Sequence, residues 1–262
     1  MKLTVVGSSG SVPSVDSPAS CYLVEADDED RRWRVLLDLG SGALGPLQRH
    51  VDPTQVDAVL LSHLHADHCL DLCGLYVMLK YAPGAGTPGA GRLSRPKVWG
   101  PEGTADRMAR AYDLPPKPGM HGQLDFAHWR DREPVQLGPL TVTPYRVDHP
   151  VAAFGLRVED TVTGSVLAYT GDTDTCDALG PLCKGADLML ADTAFVEGRD
   201  SSRGVHLTAA RAGAAVSAAG GVGRLVLTHL PPWNDPEVAR RDAGAAYHGS
   251  VELAAGGSTY EL

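Results

Sequence analysis

Val59-Leu60-Leu61-Ser62-His63-Leu64-His65-Ala66-Asp67-His68 is the stretch on which the reading of this chain turns. An apolar run of strand type, 56–61, ends abruptly in His-x-His-x-Asp-His, and a helical pattern follows over 69–81. Three imidazoles and a carboxylate therefore crowd the mouth of a buried strand. Neutral imidazole and carboxylate oxygen suit borderline first-row cations such as zinc. His63 and His65, two apart in an extended loop, can reach one ion, while Asp67 and His68, at the following helix start, can turn toward a second.

Working outward, further strand ends deliver groups of the same kind. Residues 140–147 and 154–159 alternate apolar and polar side chains, with Asp148-His149-Pro150 between them. The run 166–170 ends in Gly171-Asp172-Thr173, 187–191 in Asp192-Thr193, and 224–228 at His229. Strand ends at one rim of a sheet pair aim side chains at a shared point from rigid backbone. By residue type, His63, His65, His68, His149 and His229 together with Asp67 and Asp172 suffice for two metal ions. Two metals about 3.5–4 Å apart share a water, lower its pKa toward neutrality and neutralise phosphate oxygens. No Gly-x-Ser-x-Gly elbow offers a competing serine nucleophile.

His63-x-His65-x-Asp67-His68 resembles the signature of the metallo-β-lactamase-fold hydrolases, and the resemblance extends over nearly the whole chain. It is closest to the branch containing the tRNA 3′-end endonucleases and small bacterial phosphodiesterases. The resemblance implies that His63, His65 and His149 hold one ion, that Asp67, His68 and His229 hold the other, and that Asp172 bridges them. It makes Asp67 a catalytic residue too, orienting the hydroxide. Zinc is the expected metal, with manganese and iron accepted by the same ligands. Val205-His206-Leu207-Thr208 resembles the His-Ser-Thr motif of the phosphodiesterase branch, whose histidine assists the leaving group, with Leu207 in place of the usual serine. Asp192 stands where that branch carries Glu, and could orient His206 with a shorter side chain.

The strand and helix runs fall into two halves, each with strands and then helices. That pattern predicts an α/β (α+β) fold of two sheets packed together with helices outside, a four-layer αββα sandwich, and the family implies the same. The 262 residues fit one domain, 1–262, and 43% hydrophobic residues can fill its core. A net charge of −9 disfavours a broad nucleic-acid surface, where basic stripes supply most of the affinity. No stretch approaches the roughly 18 apolar residues of a membrane span. The opening apolar run is too short for a signal peptide, and five cysteines without Cys-x-x-Cys pairs read as reduced thiols, so the expected location is cytoplasmic. Cys69 and Cys73, four apart on one helix face, read as packing residues.

Elsewhere the sequence leaves alternatives open. Gly7-Ser8-Ser9-Gly10-Ser11 either cradles a phosphate or only reverses the chain. Asp38 either touches the metal region or caps a turn. Residues 46–50, 101–112, 206–219 and 236–247 read as helices. His121 and His128 read as exposed loop histidines, and loops 83–96 and 114–122 as walls of the substrate pocket.

For the substrate, the opening Gly-Ser-Ser-Gly-Ser, Ser17-Pro18-Ala19-Ser20, the stretch from Ser62 to Leu72, and Leu227-Thr228-His229-Leu230-Pro231-Pro232-Trp233 most resemble an actinobacterial set linked to 3′,5′-cyclic nucleotide hydrolysis. The expected reaction is cyclic AMP to 5′-AMP, and related enzymes imply a homodimer. Processing of tRNA 3′ ends is the competing reading. Those enzymes carry a long Gly/Pro-rich arm, whereas here 83–96 is short, with only Arg92 and Arg95 as charges. The same metal core also supports carboxyl-ester, lactone or sulfate-ester hydrolysis, and a metal-dependent interaction module is the non-enzymatic alternative.

Overall fold

The computed structural model describes residues 1–83 and 95–262. The first half of the chain contains β1 (Lys2–Gly7), β2 (Cys21–Asp27), β3 (Arg32–Leu37), α1 (Leu44–Leu47), β4 (Ala58–Leu60), α2 (Ala66–Cys69), α3 (Leu72–Tyr81), β5 (Lys97–Gly100), α4 (Thr104–Ala111) and β6 (Asp125–His128). The second half contains β7 (Val135–Leu137), β8 (Leu140–Arg146), β9 (Phe154–Asp160), β10 (Val166–Tyr169), α5 (Leu179–Cys183), β11 (Leu188–Asp192), α6 (Ala209–Ala218), β12 (Arg224–Thr228), α7 (Pro236–Ala246), β13 (Ser250–Leu253) and β14 (Thr259–Glu261).

Strand alternation builds the layers. Along β2, Tyr22 and Val24 enter the core between the sheets, while Cys21 and Leu23 face the helices on the other side. Among the described residues the strands form two mixed sheets, ordered β14-β1-β2-β3-β4-β5-β6 and β13-β12-β11-β10-β9-β8-β7. Leu37 and Leu60 of the first sheet meet Leu156, Tyr169 and Leu190 of the second in the central core. Leu72, Leu75 and Met108 cover the first sheet's outer face, and Leu182, Ala212, Val216 and Ala243 the second's. The architecture is the αββα sandwich expected.

Parallel pairing positions the site. Strands β3 to β6 run parallel in one sheet, as do β10 to β13 in the other. The carboxyl ends of β3, β4, β10, β11 and β12 are followed by Asp38, the signature, Asp172, Thr193 and His229 in turn. Carboxyl ends of parallel strands are where open α/β sheets bind ligands.

Several local expectations needed correction. The helix expected over 69–81 is two helices, α2 and α3, broken at Leu70-Asp71. The break frees backbone there to pair with Leu39, whose N–H donates to the His68 carbonyl at 2.8 Å while its own carbonyl accepts from Asp71 N at 3.2 Å. The helix expected from residue 206 starts at Ala209, because Thr208 is extended and its side chain accepts from Arg211 N as an N-cap. The helix expected over 46–50 sits at Leu44–Leu47. His128 ends edge strand β6 rather than lying in a loop, though it is exposed, and exposed His121 meets the Phe126 ring edge-to-face. Segment 114–122 is tied to the core by buried Met120. Most of the loop expectation over 83–96 lies outside the described residues, at 84–94. Among the described residues no helix is long and apolar enough to cross a membrane.

Candidate metal centre

Asp38 sets the geometry of the signature. It follows β3 with φ +57°, and its N–H donates to the Leu60 carbonyl, holding the ends of β3 and β4 together. Its carboxylate is fully buried and accepts from Ser62 N at 2.7 Å, Ser62 Oγ at 2.8 Å, His68 Nδ1 at 2.7 Å and Tyr169 OH at 2.6 Å. These bonds fix the tautomers of two imidazoles. With its Nδ1–H spent on Asp38, His68 in its neutral form presents a bare Nε2 inward, 3.1 Å from His229 Nε2 and 3.2 Å from Asp172 Oδ1. The Ser62 hydroxyl, having donated to Asp38, accepts from His63 Nδ1 at 3.1 Å. His63 Nε2 is therefore also bare, and lies 2.9 Å from His65 Nδ1.

His149 repeats the device with a backbone partner. Its Nδ1 donates to the Val205 carbonyl at 2.8 Å, and its Nε2 lies 3.2 Å from His65 Nδ1. The result is two clusters: His63, His65, His149 and Asp172, and Asp67, His68, Asp172 and His229, each with one ligand atom per residue within 4.8 Å of the others. Asp172 belongs to both. The donor set fits divalent cations: bare imidazole nitrogens about 3 Å apart repel one another unless a positive charge lies between them. Asp172 Oδ1 supports this, being buried without a hydrogen-bond partner.

Electrostatics point the same way. Burial pushes His63, His65 and His149 below the usual imidazole range, toward the neutral form that binds metal. Burial also opposes charge on Asp67 and Asp172, but the facing histidines outweigh it and keep both carboxyls below their usual range. Against the same burial, Asp172, with Asp192 and Asp67, pushes His229 up to about 10, and Asp172 with Asp38 raises His68. Carboxylates that favour a proton on these rings equally favour a cation there.

His206 stands beside both clusters, its ring centre 5.5 Å from that of His149 and 5.2 Å from that of His229. Asp192 reaches it despite the short side chain: its Oδ2 accepts from His206 Nδ1 at 2.8 Å. That carboxylate is fixed in turn by Thr173 N at 3.1 Å and Ala194 N at 3.0 Å. Burial disfavours the imidazolium, but Asp192 and then Asp172 outweigh it and raise the His206 pKa. With Nδ1 committed, Nε2 remains for another group. Asp172, Asp192, His206 and His229 also form a third cluster with metal-ligand spacing.

All nine site residues expected from sequence thus meet at one rim. The Ser-rich turn is mainly a chain reversal. The N–H groups of Ser8, Ser9 and Gly10 are spent on Ser17 Oγ, the Pro18 carbonyl and the Leu230 carbonyl, and only Ser11 N faces the site, 3.4 Å from His229 Nε2. Gly10 is required by closeness: a Cβ there would lie 2.1 Å from the His229 carbonyl oxygen. Sequence reasoning missed the parts of Ser62, Tyr169 and the Val205 carbonyl. Only the position of Ser62, beside His63, gave any signal. Cys69 packs in the outer core of the first sheet with Cys73 against it, and neither joins a metal-capable group among the described residues.

Comparison with known families gives this geometry a home. A family model described as the β-lactamase superfamily domain matches residues 33–230. The chain belongs to the metallo-β-lactamase-fold family. An uncharacterized protein of Mycobacterium tuberculosis is 42% identical over 270 residues, covering 100% of this chain and 92% of that protein. A probable metallo-hydrolase of Bacillus subtilis, YhfI, is 30% identical over 263 residues, covering 100% of both. The crystal structure of YhfI superposes with a TM-score of 0.85 at 26% identity, covering 99% of each chain. A diphosphatase of the PhnP family shares the fold with a TM-score of 0.75 at 20% identity, covering 100% of this chain and 97% of its own. The short form of human tRNase Z shares it with a TM-score of 0.74 at 19% identity, covering 100% and 99%. This metallo-β-lactamase-fold protein is a metal-dependent hydrolase whose His/Asp clusters are able to bind metal.

Proposed function

We propose that this hydrolase is a dinuclear phosphodiesterase that cleaves a small diester, 3′,5′-cyclic AMP, to 5′-AMP. His63, His65 and His149 would hold one divalent ion and Asp67, His68 and His229 the other, with Asp172 shared. Ions so held supply Lewis acidity, activating water and neutralising phosphate charge. The chain's own groups do the rest. Asp38 and the Val205 carbonyl keep three imidazoles in the tautomer that presents Nε2. Asp67 lies at the rim of the second cluster, its Oδ2 3.1 Å from His229 Nε2, and orients the attacking water.

The observation that carries ester hydrolysis is the His206–Asp192 pair, and the resemblance of Val205-His206-Leu207-Thr208 to the phosphodiesterase-branch motif favours a phosphate ester. An alkoxide leaving group needs a proton, and an imidazole whose protonated form is favoured by a buried carboxylate, beside both clusters, is placed to give one. The preference for a cyclic nucleotide rests on the motif resemblance to the actinobacterial set. Net acidity weighs against a long RNA substrate.

Turnover of 3′,5′-cyclic AMP, bis(p-nitrophenyl) phosphate and a precursor tRNA, with zinc or manganese supplied, tests this reading. Release of 5′-AMP abolished by chelation is expected. Cleavage of the activated diester alone would sink the cyclic AMP assignment, and silence on all three would sink phosphodiester hydrolysis in favour of carboxyl or sulfate esters.

A further inference from the structure

A buried carboxylate outside the metal clusters, Asp174, contacts one end of the strap that joins β11 to α6. The strap leaves β11 at Thr193 and returns to α6 at Thr208. Its ends are pinned to each other: Phe195 N donates to the Leu207 carbonyl at 3.1 Å, and Thr208 Oγ1 donates to Glu197 Oε2 at 2.7 Å. Between the pins most of 197–203 is exposed. The far end of the strap nevertheless delivers two groups to the site, the Val205 carbonyl that accepts from His149 Nδ1 and the His206 imidazole.

Asp174 holds that end in place. It is 1% exposed, and its Oδ2 accepts from Gly204 N at 2.9 Å and pairs with Arg203 Nε at 2.7 Å. Its Oδ1 accepts from Thr175 N at 2.7 Å and from the Arg211 guanidinium at 3.4 Å. Its own N–H donates to the Asp148 carbonyl at 2.9 Å, tying it to the turn that carries His149. Gly204 has φ +70°, so a glycine allows the chain to turn there and send the next carbonyl back toward His149. A lone surface ion pair would contribute little. A buried carboxylate taking a fixed backbone N–H is different, because removing it strands that donor.

We propose that Asp174 is a positioning residue, which anchors the Gly204 amide so that the Val205 carbonyl and His206 present themselves to the metal centre together. The inference rests on the metal assignment proposed above. Asp174 itself touches neither substrate nor ion; it acts through His149 and His206.

The test uses the full chain with Asp174→Ala, Asp174→Asn, and Arg199→Ala as a strap control whose guanidinium, among the described residues, pairs with Asp200. Three quantities are read: deuterium uptake in the peptide spanning 199–207, zinc affinity by competition with a chromophoric chelator, and kcat and KM on bis(p-nitrophenyl) phosphate. For Asp174→Ala, uptake should rise, zinc affinity should fall roughly 10–100-fold, the usual cost of losing an outer partner of a metal ligand, and kcat should fall with KM little changed. Asp174→Asn keeps one acceptor oxygen and should give an intermediate loss while remaining folded. Arg199→Ala should match wild type. Wild-type metal affinity and kcat in Asp174→Ala would overturn the inference, as would the same result in Asp174→Asn if the alanine variant does not fold. Equal losses in Arg199→Ala would overturn it too. A wild-type protein that binds no metal would instead refute the metal assignment, which separates the two failures.

Discussion

Replacing Asp38 with Asn should reverse a tautomer at the metal centre without changing the shape of the side chain. The amide has one oxygen for two acceptor positions. Position Oδ1 faces Ser62 N–H at 2.7 Å, a donor that cannot reverse, so the oxygen must stay there. The new NH2 then occupies position Oδ2, facing Ser62 Oγ, His68 Nδ1 and Tyr169 OH at 2.6 to 2.8 Å. Both hydroxyls can turn to accept, and His68 can accept only by moving its proton to Nε2. That nitrogen is the one facing Asp172 and His229, so the lone pair offered to a metal is replaced by N–H. An exchange of carboxylate for amide behind a functional histidine is known to act in this way. Loss of an outer partner costs a metal site about 10–100-fold in affinity, about 1.4–2.7 kcal/mol. Zinc competition against a chromophoric chelator reads it, with circular dichroism to show that the fold survives. Wild-type affinity and stoichiometry in Asp38→Asn would refute the tautomer reasoning, or the placing of His68 as a ligand.

Other perturbations have distinct signatures. His65→Ala and Asp172→Ala should each lose bound metal, by elemental analysis, and activity, while keeping the wild-type far-ultraviolet spectrum. His206→Ala should keep its metal and lose kcat roughly 10²–10⁴-fold, most with poor leaving groups such as a nucleoside alkoxide and least with p-nitrophenolate; loss of metal would instead make it a ligand. Asp160 takes the Val162 and Thr163 amides at 2.9 and 3.3 Å, and these outweigh burial to hold its carboxyl below the usual range. A depressed folded pKa stabilises above the unfolded value of about 3.9 and loses that contribution as pH falls through the folded one. The Tm difference between wild type and Asp160→Asn should therefore be full at neutral pH and shrink below about pH 4, as thermal melts across pH will show.

The signature was legible because the chemistry there is local. His63, His65, Asp67 and His68 lie within six residues, and their types and spacing name a metal before any fold is known. His149, Asp172 and His229 were legible as polar residues closing apolar strands, and their grouping into two clusters needed the family pattern. What sequence could not reach was whatever depends on contacts across long separations. Asp38 meets Tyr169 across 131 positions, and nothing near either residue announces it. Val205 acts through its carbonyl, which every residue possesses, so its type carried no signal. The break after α2 and the late start of α6 share a cause: backbone groups found partners in Leu39 and in the Thr208 cap, and these outweighed helical periodicity. Short edge strand β6 was missed because Asp125-Phe126-Ala127-His128 alternates too briefly to register as a strand.

Anomalous diffraction from crystals grown with zinc or manganese tests the central claim most directly. Two peaks are expected, one among His63, His65 and His149 and one among Asp67, His68 and His229, both within reach of Asp172, with none between Asp192 and His206. A single peak, or a peak held by Asp192 and His206, would contradict the dinuclear assignment and the proton-donor role built on it.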